Sequence, residues 1–232
     1  MKNIMLILLI FTLPLVAAEK QKIIFDCDLG GDIDDAFALA LVLTSPEFDV
    51  LGIVMDHGNT PGRARVAGRM LYECGLENDI PIVIGRHTPT VVGVDTALAG
   101  ESHQFAWAKG FDKVQPIDQP ADEFIIENLR KYPNEVILFT VGPVPNISDV
   151  LEKDPEALKL AKKVISMFGS FYMGYGTGSK PSAEWNVRGD IASARKLVNS
   201  GADLLFAGLD VTAFVKLDEE RRTRLLYRNS PL

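Results

Sequence analysis

The sequence predicts an α/β fold, an open and mostly parallel sheet with helices on both faces. Short apolar runs alternate along the chain with stretches of helical period, the pattern of successive strand–helix–strand units. Several runs are continuously apolar, as Ile23-Ile24-Phe25 is, and a strand of that kind is buried on both of its faces. With 232 residues the chain is long enough for one substantial core.

The elements follow in order. Residues 1–18 read as a signal peptide, with Lys2 as a minimal basic region, Ile4 to Val16 as the apolar run and Val16-Ala17-Ala18 as a small-residue cleavage site. They imply an exported protein, periplasmic or extracellular, whose single domain occupies 19–232. Strands are expected at 22–28, 50–55, 81–84, 135–141, 163–168 and 203–207, where apolar and β-branched residues cluster. Helices fit 33–44, 61–74, 121–131, 146–153, 190–199 and 218–227. The helix from Ala36 to Leu43 is so apolar that it reads as buried on most sides. The stretch 85–120 has weak periodicity, and a connection of that length is more often functional than idle. Within it His103 is a candidate to line a pocket.

Thirty-one acidic against 24 basic residues give a net charge of −7, which argues against non-specific binding to nucleic acid or anionic membrane. The two cysteines, Cys27 and Cys74, make no disulfide framework, and Cys27 reads as a small buried hydrophobe.

The chemistry concentrates where the first strand meets the first helix. Asp26, Asp28, Asp32, Asp34 and Asp35 place five carboxylates within ten residues. A strand persisting to Asp28 points Asp26 and Asp28 the same way and Cys27 the other. Helix capping accounts for one or two of these acids. Five repel one another unless something positive lies among them, and a hard cation such as calcium or magnesium would relieve that repulsion. The end of a parallel strand is also where open α/β sheets bind ligands. An EF-hand loop begun at Asp26 fails, because Phe37 stands where a bidentate Glu is needed. A haloacid-dehalogenase-like phosphatase, with Asp26 as nucleophile and Asp28 as acid/base, remains an alternative, although Gly30 stands where that family carries Thr or Val.

Asp26-Cys27-Asp28-Leu29-Gly30, followed after Gly31-Asp32 by Ile33-Asp34-Asp35-Ala36, resembles the signature of the nucleoside hydrolase family, of the inosine-uridine preferring kind. Three later segments extend the likeness. Gly58-Asn59 ends the second strand, Val141-Gly142-Pro143 follows the fourth, and Glu184-Trp185-Asn186 resembles the family's Glu-Phe-Asn. The resemblance implies a Rossmann-like fold and calcium-dependent hydrolysis of the N-ribosidic bond of nucleosides. It makes Asp28, Asp35 and the Val141 carbonyl the calcium ligands, Asp28 the general base, and Asp34, Asn59, Glu184 and Asn186 the groups that grip the ribose. The expected partner is a small nucleoside, with no nucleic acid, no membrane after signal cleavage, and self-association left open. The family's pattern runs on past Gly208-Leu209-Asp210-Val211-Thr212 to a helical segment carrying a further Asp ligand. The sequence stops at Leu232, so a C-terminally shortened domain is expected. From that comes a second alternative, a catalytically impaired nucleoside- or ribose-binding relative.

Overall fold

The computed structural model describes residues 19–89, 103–176 and 178–228. The signal-peptide segment and Gly100-Glu101-Ser102 lie outside them. Six parallel strands form one sheet, β1 (Gln21–Cys27), β2 (Phe48–Met55), β3 (Ile82–Ile84), β4 (Ile137–Thr140), β5 (Lys163–Ser166) and β6 (Leu204–Phe206), in the order β3-β2-β1-β4-β5-β6. The chain first builds outward from β1 to β3, then returns to place β4 on the other side of β1. That reversal opens a crevice at the carboxyl ends of β1 and β4, the usual ligand position in a sheet of this order.

The helices are α1 (Asp34–Thr44), α2 (Thr60–Cys74), α3 (His103–Trp107), α4 (Ala121–Lys131), α5 (Pro145–Lys153), α6 (Trp185–Gly189), α7 (Ile191–Val198), α8 (Leu209–Thr212) and α9 (Glu219–Leu226). They enclose a separate core on each face of the sheet. Ile23, Phe25 and Cys27 of β1 pack with Leu39 of α1, Leu71 of α2 and Phe105 of α3. Ile24 faces the opposite way, into a core shared with Phe124 and Leu129 of α4, Ile147 of α5 and Leu197 of α7. This period of two sends Cys27 to one face and Asp26 to the other, as expected, and both cysteines are free thiols.

All six predicted strands and all six predicted helices are present, with ends that differ by a few residues. β1 stops at Cys27, so Asp28 already belongs to the turn. The long connection after β3 supplies α3, and its Ile117 bridges back to Val83. Short helices α3, α6 and α8 went unseen because four or five residues carry too little periodicity.

Helix α1 is not buried on most sides. Leu39 and Val42 are buried, while Ile33, Phe37 and Leu41 are 57%, 44% and 68% exposed. A single sheet face offers one stripe of contact, and nothing among the described residues covers the outer stripe.

Candidate functional site

The acidic turn sits at the β1/β4 crevice. The helix that follows it is not capped by these acids, because the residue before α1 is Ile33 and no side chain caps there. Capping therefore does not explain the cluster.

Four of the carboxylates in the crevice fall into two facing pairs. Asp26, within β1, and Asp56, just after β2, are completely buried and close enough to share a proton. Asp28 and Asp35 stand in hydrogen-bonding reach of each other in the same way. Burial, and then repulsion from Asp26, holds the Asp56 carboxyl well above its ordinary range. Burial, followed by the charge of Asp28, does the same to Asp35. Asp26 is pushed up to about 6, chiefly by burial, with the neighbouring Asp56 carboxyl and the Asn146 amide opposing the rise. Asp26 Oδ1 and both oxygens of Asp56 are buried and receive no hydrogen bond.

Arg63 of α2 is the positive group among them. Its side chain is 1% exposed; Nε donates to the His57 carbonyl at 2.8 Å, and Nη1 donates to the carbonyls of Leu29, at 2.9 Å, and Asp28. Its charge lowers Asp35 and Asp56 only as the smallest of their influences. The guanidinium fixes the backbone of two turns and sets a positive charge beside Asp35 and Asp56. Backbone strain marks the same place, since His57 is a non-glycine residue at φ 50°. Its ring accepts or donates a 2.7 Å bond with Thr88 and meets Trp185 edge-on at 5.4 Å.

From the other side of the crevice, Asn146 lies in the first turn of α5, and no side chain caps that helix. The Asn146 amide nitrogen donates to Asp26 Oδ2 at 2.8 Å and the Met55 carbonyl at 3.2 Å. Gly142 lets the fourth strand's exit approach the carboxylates. A Cβ there would lie 2.6 Å from Asp28 Oδ1 and 2.7 Å from Asp56 Oδ1.

The other predicted residues frame this centre. Asn59 caps α2 by accepting from the Gly62 amide at 3.1 Å. Asp34 is exposed in the first turn of α1. Glu184 is buried and caps α6, accepting from the amides of Asn186, Gly169 and Val187, and its burial raises its carboxyl. Asn186 donates its side-chain amide to the carbonyls of Val141 and Met167, each at 3.0 Å, which ties it directly to the predicted carbonyl ligand. The loop before Glu184 is pinned at its base by Asp210, which accepts from the amides of Phe171, Tyr172 and Met173. The side chain of His103 lies outside the described residues.

Asp28, Asp35 and Val141 are therefore brought to one crevice. Sequence reasoning missed Asp56, Arg63 and Asn146 as members of it. The acid at 56 and the arginine at 63 were visible, but their burial depends on strands and helices distant in sequence. The phosphatase alternative fares poorly, because a nucleophile must be reachable and Asp26 is completely buried beneath Asn146.

The donor set suits a hard cation: carboxylate and carbonyl oxygens, three of the carboxylate oxygens buried without a donor. The side chains stand in pairs, and among the described residues no three or more His, Cys, Asp or Glu are gathered as a group that could hold a metal ion.

Comparison with known proteins identifies relatives of the chain. The family profile described as inosine-uridine preferring nucleoside hydrolase matches residues 23–231. The pyrimidine-specific ribonucleoside hydrolase RihA of Citrobacter koseri is 33% identical over 216 residues, covering 90% of this chain and 67% of that protein. The probable uridine nucleosidase 2 of Arabidopsis thaliana is 30% identical over 217 residues, covering 89% and 65%. A purine-preferring ribonucleoside hydrolase from Gardnerella vaginalis superposes with a TM-score of 0.71 at 26% identity, covering 91% of this chain and 68% of that one. The chain spans about two thirds of the length of these relatives.

Proposed function

The chain belongs to the inosine-uridine preferring nucleoside hydrolase family, and from that premise we propose that it hydrolyses the N-ribosidic bond of a nucleoside, with calcium as its cation. The observation that carries the reading is the position of Asp28. It follows β1 at the sheet's switch point, within reach of Asp35 and beside Gly142.

In this reading Asp28, Asp35 and the Val141 carbonyl hold the cation. Bound there, calcium would orient a water and make it more acidic. Asp28 takes the water's proton as general base. Asp34, Asn59, Glu184 and Asn186 bind the ribose hydroxyls and favour positive charge developing on the sugar, as in other glycoside hydrolyses. The backbone bonds of Glu184 and Asn186 fix both side chains before substrate arrives, which lowers the entropy lost on binding. Asn186 does a second thing: it orients the Val141 carbonyl. The buried His57 ring and the half-buried Trp185 ring meet edge-on beside this region. Relatives named for pyrimidine and for purine nucleosides both match, so either base class is consistent with the reading. The leader at 1–18 makes the protein exported in this reading, which fractionation of the producing cell tests.

The deciding experiment is release of p-nitrophenol from its β-riboside by the purified protein, first with calcium and then with a chelator. Release that the chelator stops supports the proposal. No release by folded protein in either condition overturns the enzymatic reading in favour of a ribose-binding relative.

A further inference from the structure

We propose that Asp56, which lies outside the motif that led to the site, is a ligand of the divalent cation and joins Asp28 across the space above Gly142. The inference rests on the cation-dependent reading above. Asp56 is completely buried, and neither of its oxygens receives a hydrogen bond from any described donor. An ionised carboxylate so placed is strongly disfavoured unless a positive charge faces it.

The space it faces is defined by three adjacent strands. The point where a Cβ on Gly142 would stand is 2.7 Å from Asp56 Oδ1 and 2.6 Å from Asp28 Oδ1. Two carboxylates, one following β1 and one following β2, thus converge over a residue without a side chain at the end of β4. The two oxygens therefore lie within about 5.3 Å of each other, a separation that one calcium ion, with oxygen ligands at roughly 2.3–2.6 Å, can bridge.

The backbone aims Asp56 at that space. His57 is held at φ 50° by the Arg63 bond to its carbonyl and by the Gly58 amide, which donates to Thr88 Oγ1 at 3.0 Å. The competing fate for Asp56 is a proton shared with Asp26. Asp26 already has Asn146 as a donor, and one shared proton leaves the Asp56 oxygen above Gly142 without a partner. A cation satisfies that oxygen and the Asp28 oxygen together. Added carboxylate charge also strengthens calcium binding generally.

The test uses the full chain, stripped of metal and titrated with calcium chloride, read by calorimetry and by the calcium-induced rise in Tm. Asp56→Asn is expected to weaken calcium binding at least about tenfold and to shrink the rise in Tm. Gly142→Ala removes no charge and fills the space with a methyl group, so it is expected to weaken calcium binding as strongly. Should Asp56→Asn fail to fold, this second variant still tests the space that the two carboxylates share. Wild-type affinity in either folded variant overturns the assignment and leaves Asp56 as the proton-sharing partner of Asp26. A wild-type protein that binds no calcium overturns both this inference and the cation reading beneath it.

Discussion

Asn146 Nδ2 donates a 2.8 Å hydrogen bond to Asp26 Oδ2, joining residues that are 120 positions apart. The same side chain reaches the Met55 carbonyl, and its own oxygen accepts from the Arg86 amide at 2.9 Å. One amide therefore ties the ends of β1 and β2 and the loop after β3 to the start of α5. Asn146→Ala should lower unfolding free energy by about 1–3 kcal/mol, since it strands buried groups. Urea denaturation measures this, and a loss under about 0.5 kcal/mol would refute the role.

Arg63 makes a stronger demand. Replacing it with Met leaves three backbone carbonyls without their donor and removes the buried cation beside Asp35 and Asp56. The expected destabilisation is about 3–5 kcal/mol. Arg63→Lys should recover little, because one ammonium does not reproduce the planar fork. Full recovery by Lys would mean that charge alone matters there.

The pH dependence of the metal-free protein has a definite sign. Asp26 titrates near 6 in the folded protein against 3.8 ordinarily, so the folded state holds its proton more tightly. Its contribution to stability is complete below pH 3.8 and is lost as pH rises through about 6. Asp35 and Asp56 are shifted the same way and extend the loss upward. Tm should thus fall from mildly acidic to neutral pH in chelator and recover when calcium is added. The fall should be shallower in Asp26→Asn, and an unchanged slope would contradict the assignment.

Asp210 offers a local test. Three successive amides, those of Phe171, Tyr172 and Met173, donate to its carboxylate, which lies below its ordinary pKa because of them. Asp210→Asn should speed hydrogen exchange across residues 171–173 while leaving the central strands protected. Equal exchange rates in the two proteins would show that the loop is held by other means.

Asp28→Asn addresses the chemistry itself. Loss of the general base should lower turnover by about 10²–10⁴-fold. A nucleoside that is not turned over should still bind, through Asn59, Glu184 and Asn186. Wild-type turnover in this variant would remove Asp28 from the catalytic role.

The sheet was legible because its signals are local. Continuous apolar runs such as Ile23 to Phe25 announce buried parallel strands, and their neighbours announce the intervening helices. The acidic turn was legible for the same reason, being ten consecutive residues. Asp56, Arg63 and Asn146 were not, because each owes its burial to contacts made only after β2, α2 and α5 have packed beside β1. The exposed stripe of α1 was misread because apolar composition does not say how many neighbours a helix will find. Ile33, Phe37 and Leu41 have the composition of a core and the exposure of a surface.

Cys27 lies between Asp26 and Asp28 yet points into the opposite core, completely buried, with its thiol pushed well above its usual pKa by burial first. Its reaction with a thiol reagent must therefore wait for the end of β1 to open, whereas partly exposed Cys74 is available without such opening. The protein carries its own stopwatch beneath the carboxylates. The labelling rate at Cys27, set against that at Cys74, reports how often the floor of the crevice gives way, and any ligand that braces the floor will slow it.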